Sequence, residues 1–447
     1  MAYVATGATP GRLLQVLGVA FGLAVLVGNT IGMGILRTPG EIAARVPSVP
    51  LFMGVWVAGA LYALLGALTV SELAAMRPRS GGLYSLVHHG LGPYPGFVVG
   101  WSDWLSTCGS TAAVAIVLGE YIAPLLPFLA GHEKLTGCGV VLAFGLMQWR
   151  GVRIGDVVQQ ATSLAKALSL VALALVALFF AKAPAPVAPT TVAPVLPMGI
   201  ALVGAVIIAM QSAIYTYDGW SGPVYFSEEL QDPARDVPRT MIFGVLLVMA
   251  IYLLLNAALL SLVPIREMAG DPFVAASAAV RVFGPRGDTV LRIVMIVSML
   301  ASVNALVLMA SRIPFAMSRD RLLPAALQRV NAGGTPVPAL WTSVLVAMGL
   351  IATNTFNTMV GLLAFMFVAN YAVTFTTFFV VRRREPDAPR PFRVPLYPLV
   401  PGLALLGSLA FIGAALASDT VHSLFALGLV GASWPVYRLL RRSVGAD

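Results

Sequence analysis

Apolar residues in this chain come in long runs, separated by short connectors that carry the charge and the turn residues. Runs long enough to cross a bilayer, about 17 to 25 residues, fall at 14–40, 50–76, 95–126, 136–150, 156–182, 198–229, 239–263, 288–318, 338–354, 357–382, 396–418 and 421–441. The pattern predicts an all-α integral membrane protein of twelve spans, or eleven if the short fourth run does not cross.

The first run departs from a plain membrane helix. Leu13 to Leu36 holds 24 residues without a charge, yet it contains Gly28-Asn29-Thr30-Ile31-Gly32-Met33-Gly34. Each glycine weakens a helix interior by roughly 1 kcal/mol relative to alanine. Hydrocarbon offers no water to the freed backbone groups, so a break there must line a protein cavity. Tyr215-Thr216-Tyr217-Asp218-Gly219-Trp220 reads as a second break, in the sixth run. If spans 1 to 5 form one repeat and spans 6 to 10 another, the odd number of crossings inverts the second copy. Both breaks then fall in the first span of a repeat, unwound near the midplane, as in rocking carriers. The predicted organisation is residues 1–182 (N-terminal region and first repeat), 183–395 (linker and second repeat) and 396–447 (two further spans and a tail). The proline-rich stretch Lys182 to Pro194 reads as the extended linker between the repeats.

Composition strengthens this picture: 58% of the 447 residues are hydrophobic and 11% are charged, with a mean hydropathy of +0.88. The net charge of +9 raises the question of an anionic partner. Nineteen of the 28 basic residues fall on one side of the predicted spans and eight on the other, with Lys166 inside a span. The positive-inside rule therefore accounts for the charge without nucleic acid and sets both termini in the cytoplasm. Arginine outnumbers lysine 25 to 3, a skew that suggests a GC-rich bacterial genome and hence the inner membrane. Two cysteines, Cys108 and Cys138, indicate no disulfide framework. The first run is too long for a signal-peptide core and is expected to be retained.

An interrupted helix exposes N–H groups where its second half starts and carbonyls where its first half ends. Two crossed breaks therefore suit a zwitterion, with a carboxylate at the N–H groups of Met33 and Gly34 after Gly32. Its ammonium would sit at carbonyls of Thr30, Ile31, Tyr215, Thr216 and Asp218. The competing reading is that the glycines serve only close helix packing, which suits Gly18 and Gly22. Lys166 is the only charge between Val157 and Ala181, at an insertion cost of roughly 2.5–3.5 kcal/mol. It either bonds the free carbonyls of the first break, in the place of a coupled cation, or snorkels to the inner interface. Asp218 has three readings: a proton carrier, a partner for an ammonium group, or a cap for the second half of its helix. Glu72, Asp103 and Glu120 read as interfacial. Tyr215 is the candidate gate over the pocket, and Ser106, Thr107, Cys108, Asn304 and Asn370 are candidates for its side-chain wall. The four histidines lack metal-ligand spacing, and no nucleotide or nucleophile motif occurs, so neither an enzyme nor a cofactor is expected.

These residues resemble the amino acid, polyamine and organocation superfamily, and within it the bacterial relatives of the L-type amino acid transporters. The resemblance rests on Gly28 to Pro39 (GNTIGMGILRTP), Ser71 to Tyr84 (SELAAMRPRSGGLY), Gln159 to Lys166, Tyr217 to Arg239 (YDGWSGPVYFSEELQDPARDVPR), Ser302 to Pro324 and Arg382 to Pro398. It implies the twelve-helix inverted repeat and sodium-independent transport, with Lys166 contacting the unwound first helix in place of sodium. It also implies carboxylate binding by Met33 and Gly34 and amine binding by carbonyls of Thr30, Tyr215 and Asp218. Met33 departs from the serine often found after the glycine, and Asp218 from the glycine usual in animal relatives. Animal members pair with a single-span glycoprotein through an extracellular cysteine, and Cys138 lies near that region, but a bacterial chain needs no such partner.

The resulting expectation is a carrier for neutral L-amino acids, working by alternating access as an exchanger or uniporter, with the lipid bilayer as its surroundings and no obligatory protein partner. The alternatives are proton-coupled symport through Asp218 and, from another class, a membrane amino-acid sensor.

Overall fold

The computed structural model describes residues 13–32, 34–180, 195–271, 273–353, 356–418 and 420–444. Met33 and the Lys182 to Pro194 linker lie outside the described residues. Sixteen α-helices occur among those described: α1 (Val19–Thr30), α2 (Gly34–Arg45), α3 (Val49–Met76), α4 (Leu83–Leu91), α5 (Pro93–Ile122), α6 (Glu133–Trp149), α7 (Val152–Phe180) and α8 (Ile200–Thr216), followed by α9 (Pro233–Leu262), α10 (Ile265–Met268), α11 (Val274–Phe283), α12 (Gly287–Arg319), α13 (Val337–Thr353), α14 (Phe356–Arg384), α15 (Leu399–Ser418) and α16 (Thr420–Val444). Eight described spans are long and apolar enough to cross a membrane, and nine if the bent pair α1 and α2 counts as one.

The first predicted run is broken as expected: α1 ends at Thr30, α2 starts at Gly34, and the two are bent by 46°. The sixth run, predicted over 198–229 with a break at Tyr215 to Trp220, is interrupted at that point, and its second half is not an α-helix. Its α-helix stops at Thr216, and after a turn only a short 3-10 helix, Gly222–Phe226, follows. Gly219 takes φ +107°, a left-handed conformation that glycine adopts without steric cost, and Pro223 then removes a backbone donor. The region from Arg77 to Gly92 contains α4, and Pro233 opens α9 at a position where a missing N–H costs nothing.

α5 and α12 pack closely together, α1 lies against α7, α9 and α12, and α14 packs on α5 and α15. The outward faces of α7, α15 and α16 expose apolar side chains such as Leu164, Leu168, Leu406 and Phe425, the inverse of a soluble protein and suited to a lipid surround. Gly22 does serve close packing, since a Cβ there would lie 2.6 Å from the Thr240 side chain; Gly18 does not, having nothing within 4 Å.

The face on which α1 begins is locked by polar contacts. Leu17 pairs with the strand-like segment after the 3-10 helix, donating to none of its own neighbours but to Glu229 O at 2.9 Å and accepting from Gln231 N at 2.9 Å. Arg312 of α12 holds Glu229 in a pair whose side chains are 1% and 0% exposed, and Arg319 grips both oxygens of Glu228 at 2.7 and 2.9 Å. Glu72, at the end of α3, accepts from Arg382, Arg390 and the Val394 N–H, tying α3 to the loop after α14.

Candidate functional site

The first break is held open by a side chain from α7. Lys166 is fully buried, and its Nζ donates to the carbonyls of Gly28 and Ile31, at 2.8 and 2.5 Å, and to Ser302 Oγ at 2.9 Å. The snorkelling alternative is excluded by this placement, since the ammonium ends inside the protein at the C-terminal, partially negative end of α1. α7 approaches this closely because Gly28 has no side chain: a Cβ there would sit 2.1 Å from Gln159 Nε2 and 2.7 Å from Ser163 Oγ. Both of those groups bond the Ala24 carbonyl, one turn earlier.

The second break crosses the first at Gly219. A Cβ at that residue would lie 2.8 Å from Asn29 Nδ2 and 2.9 Å from Thr30 N. The Tyr252 hydroxyl of α9 lies 2.9 Å from Thr30 O and 3.0 Å from Thr216 O, so one donor serves the carbonyl ends of both first halves. Thr216 Oγ1 reaches Thr38 of α2 at 2.9 Å. Tyr217 points away from the opening, into an aromatic cluster with Trp56 and Tyr252. Trp220 stacks near Tyr371, whose hydroxyl donates to Asp218.

Between the breaks lies a cavity of about 580 Å³, within the usual size range of small-molecule sites. It leads along α2 as far as Glu41, and Phe411, Ala415 and Ser423 of α15 and α16 also line it. It therefore opens toward the face where α2 ends, opposite the ion-paired face. Of the residues singled out by sequence, Thr30, Gly32, Gly34, Tyr215, Thr216 and Asp218 line this cavity. Ile31 and Lys166 stand behind its wall, both fully buried. The N–H groups of the first turn of α2 have no intrahelical acceptor, and this positive helix end suits an anion. Among the carbonyls expected to face an ammonium, Ile31 O already accepts from Lys166 and Ser298, Thr30 O from Tyr252 and the Gly32 N–H, Tyr215 O from the Asp218 N–H, and Thr216 O from Tyr252.

The side-chain wall divides differently from expectation. Thr107 and Asn370 line the cavity, whereas Asn304 turns away to bond Gln148 and Gln159 in a buried amide chain, and Cys108 packs toward Ser343 of α13. The largest correction is Asp103. Read from sequence as interfacial, it is 1% exposed, lines the cavity, and accepts the Tyr225 hydroxyl at 2.7 and 2.9 Å on its two oxygens. The signal was available: Asp103 is the only acidic or basic residue, histidines apart, between Ser80 and Gly119, the same criterion that singled out Lys166. Tyr225, Tyr371 and Ser302 carried no such signal, because polar neutral residues are common in these runs.

Comparison with known proteins agrees with this architecture. A family model described as amino acid permease matches residues 12–433. The chain is 28% identical over 431 residues to the serine/threonine exchanger SteT of Bacillus subtilis (strain 168), covering 95% of this chain and 96% of that protein. It is 27% identical over 417 residues to the b(0,+)-type amino acid transporter 1 of Mus musculus, covering 91% and 84%. To the large neutral amino acids transporter small subunit 2 of Homo sapiens it is 27% identical over 440 residues, covering 96% and 80%.

Proposed function

The chain belongs to the amino acid permease family, and from that premise we propose that it is a sodium-independent carrier of neutral L-amino acids, working by alternating access as an exchanger or uniporter. The observation that carries this reading is the Lys166 ammonium bonded to the Gly28 and Ile31 carbonyls. A fixed cation already occupies the negative end of the broken helix, so no sodium ion is needed to complete it. The substrate carboxylate rests at the N–H groups of Met33 and Gly34. Its ammonium rests near the carbonyls of Thr30, Tyr215 and Thr216, with the Asp218 carboxylate facing it from the second break. That assignment is favoured over capping because Asp218 lines the cavity and accepts from Tyr371 of another helix. A polar wall of Thr107, Ser110 and Asn370 suits small neutral side chains, in keeping with a relative named as a serine/threonine exchanger. Tyr215 is the residue that swings over the bound substrate.

Twelve spans are supported by counting the bent pair once and adding α6, α8 and α13 to the longer helices. In this reading residues 1–182 and 183–395 are inverted repeats, and 396–447 add α15, α16 and the tail. Both termini are cytoplasmic in a bacterial inner membrane, the cavity faces outward, and the carrier works without an obligatory protein partner. The test is uptake of a panel of radiolabelled L-amino acids into proteoliposomes without sodium, with and without internal amino acid. Saturable sodium-free uptake of neutral amino acids is expected; preloading then separates exchange from uniport. Binding without flux would overturn the carrier reading in favour of a sensor.

A further inference from the structure

We propose that Asp103 is a proton-binding site in the cavity wall, and that its proton controls how firmly α5 holds the segment following the second break. The site itself stands on geometry; its role in the transport cycle rests on the carrier reading above. Asp103 lies inside α5 at 1% exposure. Its side-chain partner among the described residues is a single hydroxyl, that of Tyr225, which spans both carboxyl oxygens at 2.7 and 2.9 Å. Among the described residues no lysine, arginine or histidine forms an ion pair with it. An unpaired buried carboxylate costs several kcal/mol, and one neutral hydroxyl does not offset that. A proton arriving through the water of the cavity converts the carboxylate to the neutral acid and removes the cost.

The groups around α5 offer no other compensation. His88 and Tyr84 of α4 turn to Asp320, and Arg312 of α12 is closed on Glu229. Tyr371 of α14 is bonded to Asp218. Arg438 and Arg441 of α16 lie over Trp434 and Tyr437, Cys138 of α6 faces the Met348 carbonyl, and α13 brings no titratable side chain. Across the cavity stand Tyr215, Asp218, Arg37 and Glu41, so a second carboxylate, Asp218, opposes a charge on Asp103.

Tyr225 belongs to the 3-10 helix Gly222–Phe226, directly before the Glu228 and Glu229 pairs that lock the opposite face. An ionised Asp103 grips the Tyr225 hydroxyl through a charge-assisted bond; the protonated acid grips it less. Proton binding therefore loosens this segment from α5, a movement that opening of the locked face requires.

Infrared difference spectra of the full-length protein in liposomes, recorded between mildly alkaline and mildly acidic buffer without amino acid, test the site. A carboxylic-acid carbonyl band should grow on acidification, vanish in Asp103→Asn and persist in Asp218→Asn. Absence of such a band in the wild type, or its survival in Asp103→Asn, overturns the proposal. If Asp103→Asn does not fold, Tyr225→Phe decides: the band should move to higher frequency on loss of the hydroxyl, and an unshifted band counts against the site. Exchange of L-serine in preloaded liposomes tests the role. Wild-type rates should rise on acidification and become pH-independent in Asp103→Asn, and an unchanged pH profile refutes control by this proton. Wild-type liposomes that move none of the amino acids in the panel would instead refute the carrier reading while leaving the infrared result standing.

Discussion

Replacing Lys166 by alanine tests whether its ammonium fixes the first break. The substitution removes donors to Gly28 O, Ile31 O and Ser302 Oγ. Gly28 O keeps the Ser302 hydroxyl at 2.8 Å, but Ile31 O keeps only Ser298 Oγ at 3.4 Å. A buried acceptor left without an adequate donor costs about 1–3 kcal/mol. Against this, deleting an intramembrane charge relieves roughly 2.5–3.5 kcal/mol on insertion scales. The two nearly cancel for the fold as a whole, so insertion and thermal unfolding should change little. The break does not share in that relief, because its geometry is what the ammonium specified. A penalty of about 1–3 kcal/mol on the competent conformation lowers its population by roughly 5- to 150-fold. Initial rates of amino acid exchange into proteoliposomes should fall by that factor or vanish, with the protein still monodisperse in detergent. Lys166→Met separates charge from volume and should behave like the alanine variant. Rates within twofold of wild type in either would refute the role assigned to Lys166.

Other positions give independent checks. Gly219→Ala forces a side chain onto φ +107° and against Asn29 and Thr30; a strain of about 1–3 kcal/mol should abolish exchange, and normal exchange would show that the breaks do not need this close crossing. Arg312→Leu leaves Glu229 buried and unpaired, so detergent-solubilised protein should lose about 3–5 kcal/mol, while Arg312→Leu with Glu229→Leu should recover much of it; equal melting of single and double variants would contradict the pairing. His88, in α4, is held below its ordinary value of 6.5, chiefly by burial, despite Asp320 at 3.8 Å. Its unfolded form binds the proton more readily, so its contribution to stability is present above pH 6.5 and is lost as pH falls through that value toward the lower folded one. Melting temperatures should decline over that window and decline less in His88→Gln; parallel declines would remove His88 as the cause.

Much of the site was legible before any coordinates. Lys166 stood out because a lone charge in a membrane run demands a partner, and the Gly28 to Gly34 cluster because a membrane helix has no use for three glycines in seven residues. Asp103 met the Lys166 criterion equally well but was set aside for its nearness to a predicted helix end. α5 starts at Pro93, close to the predicted start of the run at 95, and carries Asp103 inside the packed bundle, so the error lay in reading a position in the first turns of a span as interfacial and not in the boundary. Asn304 failed for the opposite reason: an amide in a membrane helix must satisfy its polar atoms, and its sequence did not reveal that Gln148 and Gln159 would do so.

Composition and hydropathy by themselves determined that this chain is a helical membrane protein with two interrupted spans, because run length and backbone propensity are local quantities that each segment expresses alone. The tertiary structure decided which groups meet. Lys166 reaches Gly28 across 138 positions and Tyr225 reaches Asp103 across 122. Such pairings depend on how helices cross and how closely glycines let them approach, and a linear sequence states neither. The same crossings decided that the cavity opens on the face where α2 ends while ion pairs seal the other, since that asymmetry belongs to the packing of whole helices and to no single segment.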